Sequence, residues 1–127
     1  MSKTLEFTVP LVPPSVNHYK VRYRNGRTVV SKEAQAFKDA LAIYVQDGYV
    51  TGETFSVSMS VVLAAKQKGD VDNFPKLVLD GLAAAGVFRN KKGKMVSDAH
   101  VRHMTVFVDT EGRPARGFTE IRVRTLP

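Results

Sequence analysis

Cysteine is absent from the 127 residues, which excludes disulfides and thiolate metal sites and suits a reducing cytosol. No apolar run reaches the length that spans a bilayer. The opening Met1-Ser2-Lys3-Thr4-Leu5-Glu6-Phe7 reads as a strand rather than a signal peptide. The expectation is therefore a cytoplasmic protein with no membrane partner. Repeats, low-complexity tracts and interdomain linkers are also lacking, so the length predicts a single domain over residues 1–127. Acids are scarce: twelve Asp and Glu stand against nineteen Lys and Arg, a formal net charge of +7. That excess favours a polyanionic partner such as nucleic acid, although many basic proteins have no such role.

The few acids are unevenly placed. Three fall in the stretch Lys68-Gly69-Asp70-Val71-Asp72-Asn73-Phe74-Pro75-Lys76-Leu77-Val78-Leu79-Asp80-Gly81-Leu82. Phe74, Leu77, Val78, Leu82 and Ala85 recur at helical spacing, which predicts a helix from near Asn73 with Pro75 in its first turn. On an extended entry, Asp70 and Asp72 point the same way and can share a hard cation. Asp72, Lys76 and Asp80 follow at i,i+4 steps along one face. A plainer reading is also open: Asp and Asn before a helix are common caps, and Lys76 between two aspartates can be an ordinary surface ion pair.

Leu5, Phe7, Val9 and Leu11 alternate with polar residues as a first strand, ended by Pro10, Pro13 and Pro14. Asn25-Gly26 between β-prone flanks predicts a hairpin. From Pro13 to Lys32 there are five positive charges (Lys20, Arg22, Arg24, Arg27, Lys32) and no acid, with Tyr19 and Tyr23 interleaved. Such a ribbon can lie along a phosphate backbone or be merely solvated. Ser31 is placed to cap a helix whose inner face carries Ala34, Phe37, Leu41, Tyr44 and Val45, with Gly48 at its end. Phe55 to Leu63 alternates with Ser56, Ser58 and Ser60 as a half-buried strand that runs into the acidic stretch. After Gly86 a basic loop carries Arg89, Lys91, Lys92 and Lys94, with Lys91-Lys92-Gly93-Lys94 as its tip. Strands then span Val101 to Val108 and Phe118 to Thr125, joined as a hairpin through Asp109-Thr110-Glu111-Gly112-Arg113-Pro114. The fold class is α+β: a mixed or antiparallel sheet packed with two α-helices.

These residues resemble the RusA-type Holliday-junction resolvases (crossover junction endodeoxyribonucleases). The resemblance rests on Pro13-Pro14-Ser15-Val16-Asn17, on Ser31 with Gln35 and Phe37, and on Asp70-Val71-Asp72-Asn73, Lys76, Leu79-Asp80-Gly81-Leu82, Gly86 and Asp98-Ala99. It covers nearly the whole chain. Ser97 stands where the family often has a second acid, and the loop from Phe88 to Val96 is longer and more basic than usual.

The resemblance implies a RusA-like fold, a homodimer and a Mg²⁺-dependent nuclease that resolves four-way DNA junctions by paired symmetric nicks, in recombination and repair. Mn²⁺ is a candidate substitute for the metal. It implies that Asp70, Asp72 and Asp98 hold the metal and that Lys76 is a catalytic lysine near the scissile phosphate. Many family members come from phages and prophages. Lys20, Arg22, Arg24, Arg27, Lys68, Lys76, Arg89, Lys91, Lys92 and Lys94 are the candidate DNA contacts. Asp80 is read as a support for Lys76, Asn73 as a cap or outer group, and the three histidines as non-catalytic. For the dimer, the first strand and Phe118 to Thr125 are candidate exposed edges. The competing readings are a branched-DNA binder that does not cut, and a nuclease for another branched or single-stranded nucleic acid.

Overall fold

A computed structural model of the chain describes residues 3–14, 20–22, 28–64, 67, 74–111 and 114–127, with backbone alone at 20–22 and 28–30. In chain order the elements are β1 (Thr4–Val9), β2 (Lys20–Arg22), β3 (Thr28–Val30), α1 (Lys32–Val45), β4 (Val50–Thr51), β5 (Phe55–Val62), α2 (Pro75–Ala84), β6 (Phe88–Arg89), a 3-10 turn at Asp98–His100, β7 (Val101–Asp109) and β8 (Phe118–Thr125). Four strands form the main sheet in the order β1-β8-β5-β7. β8 is antiparallel to both β1 and β5, whereas β5 and β7 are parallel, so the sheet is mixed.

β7 and β8 do not form the hairpin expected from their nearness in sequence. They flank β5 on opposite sides, and the residues between them cross its finishing end, where Val62 pairs with both Asp109 and Phe118. Parallel pairing needs a crossover, and between β5 and β7 the chain supplies one that contains α2. β8 is accordingly an inner strand, not the edge expected for it; the edges are β1 and β7. The basic hairpin is borne out in its strands, β2 pairing antiparallel with β3, while its Asn25-Gly26 turn lies outside the described residues.

The period-2 pattern of β5 decides where the core sits. Phe55, Val57, Met59 and Val61 are buried. All but Val61, which packs with Leu63 and Phe74, join Ile121 and Val123 of β8 in one cluster with Ala34, Phe37 and Leu41 of α1 and Leu77, Val78 and Leu82 of α2. Full burial of one such side chain stabilises by about 1.5–3 kcal/mol. Both helices therefore cover one face of the sheet. Tyr44, expected in the core, is 45% exposed, and Leu11 falls beyond the end of β1.

Ser31 caps α1 as expected, its hydroxyl accepting from the Ala34 N–H at 3.2 Å. The helix stops earlier than Gly48: Gln46 and Asp47 themselves take left-handed backbone, φ 52° and 60°. The loop after Gly86 contains order that the sequence did not suggest. β6 pairs in parallel with β4, and the Phe55 and Phe88 rings pack with centroids 5.2 Å apart. Gly86 leaves α2 at φ 74°, where a Cβ would lie 2.7 Å from Met95 Sδ.

Candidate active site and nucleic-acid surface

The helix that follows the acidic stretch begins without a side-chain cap. Pro75 is its first residue, where the missing N–H costs nothing, and the cap position falls to Phe74, whose side chain has no acceptor. Phe74 is instead buried with Val61 and Leu63, which anchors the start of α2 to the finishing end of β5. Lys76 sits in the first turn and is exposed. A cation there opposes the helix dipole, so helix stability does not explain its placement.

Lys76 makes no ion pair among the described residues. Asp80 lies one turn on and is half-buried. Asp70, Asp72, Asn73 and Lys68 lie outside the described residues. A cleft of about 640 Å³ is lined by Leu11, Val12, Ala64, Gln67, Arg116 and Gly117 among others. Arg116, exposed in that cleft, is a cation that pattern reading passed over.

Asp98 opens the 3-10 turn just before β7, at the end of the sheet where β5 and β7 begin. Ser97 caps the turn by accepting from the Ala99 N–H, and the turn packs against α2. The Asp98 carboxyl is half-exposed and makes no hydrogen bond or ion pair among the described residues. His100 Nδ1 lies 3.2 Å from the Glu53 carbonyl oxygen. Among the described residues no three His, Asp or Glu side chains gather closely enough to hold a metal.

The basic loop is a well-built turn. Asn90 Oδ1 accepts from the N–H groups of Lys92 and Lys94, at 2.9 and 3.0 Å, and Gly93 takes φ 83° at the tip. Lys92 and Lys94 are exposed, and Lys91 makes an open ion pair with Glu53 at 3.4 Å. Arg89 is bound into the fold instead: its guanidinium lies 4.2 Å from the centre of the Tyr49 ring and its Nε donates to the Gly86 carbonyl. Of the ribbon cations, Arg24 and Arg27 lie outside the described residues, and Lys20 and Arg22 are described in backbone only.

The sheet face away from the helices was not singled out by the pattern of any one segment. It carries Ser56, Ser58 and Ser60 of β5, Glu120, Arg122 and Arg124 of β8, His103, Thr105 and Phe107 of β7, and Glu6 of β1. Ser56, although on this face, is buried and holds His103 Nδ1 at 2.9 Å from its hydroxyl oxygen.

Comparison with known proteins places this architecture. The profile of the family described as "Endodeoxyribonuclease RusA" matches residues 10–123. The chain belongs to the RusA endodeoxyribonuclease family. That match spans the acidic stretch, α2, the basic loop and the Asp98 turn. Among similar proteins, the crossover junction endodeoxyribonuclease RusA of Escherichia coli O139:H28 is 32% identical over 106 residues, which cover 81% of this chain and 85% of the relative. The protein of the same name from Escherichia coli K12 is 34% identical over 86 residues, 65% of this chain and 70% of the relative. The one from Enterobacteria phage 82 is 33% identical with the same coverage.

Proposed function

We propose that this RusA-family chain is a structure-selective endodeoxyribonuclease that resolves four-way DNA junctions by paired symmetric nicks, working as a homodimer in recombination and repair. The observation that carries the reading is the family match over residues 10–123, which includes Asp70, Asp72, Lys76 and Asp98. The net charge of +7 agrees with a polyanionic substrate.

Asp70, Asp72 and Asp98 would hold Mg²⁺, or Mn²⁺ in its place. The fit rests on donor chemistry: carboxylate oxygens suit these hard cations, the chain has no thiolate, and the Asp98 carboxyl is half-exposed without a competing partner among the described residues. Bound there, the ion would supply Lewis acidity toward a phosphoryl oxygen and would favour deprotonation of the attacking water. Lys76 has the separate task of neutralising charge that gathers on the phosphoryl oxygens as water attacks phosphorus and the P–O bond to the leaving strand breaks. Its exposure and its lack of an ion pair among the described residues leave the ammonium available for that contact. Asp98 lies where β5 begins and the start of α2 where it finishes, and a junction presents two equivalent strands about a two-fold axis. A two-fold dimer supplies the matched pair.

The test is cleavage of synthetic four-way junction, flap, duplex and RNA substrates, with and without Mg²⁺. The expected result is paired nicks on the junction only, dependent on the metal. Asp70→Asn, Asp72→Asn and Asp98→Asn should each abolish cutting while junction binding is kept or tightened. Binding without cutting by the unaltered protein would identify a branched-DNA binder instead. Light scattering at the same protein concentrations should show a dimer, and a monomer that makes both cuts in one encounter would remove that part of the proposal.

A further inference from the structure

The helix-free face of the sheet holds a site that the chemistry above does not use. Strand register lays out two rows across three strands: Arg124, Ser56 and His103 in one, Arg122, Ser58 and Thr105 in the next. These six residues line a pocket of about 280 Å³. None of them is acidic or aliphatic. They offer two guanidinium forks, three hydroxyls and an imidazole. Ser56 Oγ and His103 Nδ1 share a hydrogen bond at 2.9 Å, which fixes the imidazole in the pocket.

The acids nearby do not cancel this charge. Glu6 pairs with Arg122 at 3.0 Å, but the two side chains are 63% and 56% exposed, and such a pair is weak. Glu120 lies in the wider trough that continues from the pocket toward Phe107, outside the six. Arg124 makes no ion pair among the described residues. A phosphate oxygen can engage a guanidinium through two parallel N–H donors, a stronger arrangement than an exposed single contact to a carboxylate.

We propose that this pocket seats a phosphate of a nucleic-acid backbone, so that the protein grips a phosphodiester on the face of the sheet opposite α2. The inference rests on the reading of the protein as a DNA-junction enzyme and adds a contact to it. The rival occupant is a second copy of the chain laid on the same face. The centre of a homodimer interface is characteristically apolar and depleted in charge, whereas this floor is serine and threonine and its rim is arginine and histidine. The chemistry favours the phosphate.

The test measures binding to a synthetic four-way junction in EDTA over a range of salt concentrations. Arg122→Gln/Arg124→Gln should weaken binding roughly tenfold near 0.1 M salt and make the slope of log affinity against log salt shallower by about two. Arg124→Gln alone should change the slope by about one. Lys3→Gln/Lys38→Gln, which removes the same charge from outside the pocket, should leave the slope close to that of the unaltered protein. A double arginine variant that matches this control would overturn the pocket while leaving the junction reading intact; no junction binding by the unaltered protein would overturn both. Inorganic phosphate separates the two sources of the ligand. If millimolar phosphate shifts the Arg124 side-chain NMR signals but the arginine variants keep the full DNA slope, the site serves free phosphate and the backbone assignment fails. If the double variant loses affinity only because light scattering shows its dimer falling apart, the face belongs to a contact between copies and the proposal fails.

Discussion

The two faces of β5 carry four side chains each and differ in what covers them. On one, Val57, Met59 and Val61 are shut away beneath apolar neighbours, Val57 and Met59 beneath the helices; on the other, Ser58 and Ser60 face a trough open to solvent. Alternation puts both faces on one strand, so a single eight-residue segment serves the core with one half of its side chains and leaves Ser58 and Ser60 of the other half toward solvent. The difference teaches where stability and function are separable in this fold. Substitutions on the covered face should be read in melting curves, and those on the open face in DNA affinity.

The sharpest way to break this separation is Phe55→Ala. Phe55 is fully buried, packs on Phe88 and ties β5 to the small β4–β6 pair. Its removal should cost about 3–5 kcal/mol in urea unfolding, enough to threaten folding at 37 °C. A loss under about 1 kcal/mol would mean that this end of the core is able to collapse around the gap. Next in size is Gly86→Ala. Left-handed backbone at φ 74° and a Cβ aimed at Met95 Sδ should together cost about 1–2 kcal/mol, with Met95→Ala recovering part of it. No recovery would assign the whole effect to the backbone.

The comparison also explains what the sequence disclosed. Covered faces were legible because burial repeats every second residue in β5 and β8 and every third or fourth in α1 and α2. That periodicity is written in Phe55 to Val61 and in Phe74 to Leu82. Strand order was not legible. Nearness in sequence favours a β7–β8 hairpin, but β5 lies between them, and no residue of either strand announces its partner. The site divides in the same way. Lys76 stands out by residue type and spacing and Asp98 by the family resemblance, whereas the Arg122, Arg124 and His103 pocket exists only once three strands are in register. Arg89 shows the converse: it reads as one more loop cation until Tyr49 is found under it.

On the open face, Ser60→Ala should change stability by less than about 0.5 kcal/mol, because a partly exposed hydroxyl at this position supports no core contact. The same urea titration used for Phe55→Ala measures it. A loss above about 1 kcal/mol would mean that the trough is covered in solution and that the two faces are less different than they look.

The smallest expected change in stability belongs to Lys76, and it is the most telling because its sign is reversed. The residue lies in the first turn of α2, exposed, without an acid in that turn and without an ion pair among the described residues. The partial positive charge of the helix start repels its ammonium. Lys76→Gln keeps much of the side chain's length, removes the repulsion and retains good helix propensity. Unfolding free energy should therefore rise by about 0.3 kcal/mol, while junction cleavage falls by about a hundredfold or more, the scale of losing one donor aimed at developing charge. Lys76→Arg separates a placed charge from a generic one. Its charge is kept, so the stability gain should vanish, yet a planar fork does not put that charge where an ammonium does, and activity should return only in small part. If Lys76→Gln destabilised the fold and lost activity in proportion, the lysine would be structural. If Lys76→Arg restored full activity, any cation at the start of α2 would serve.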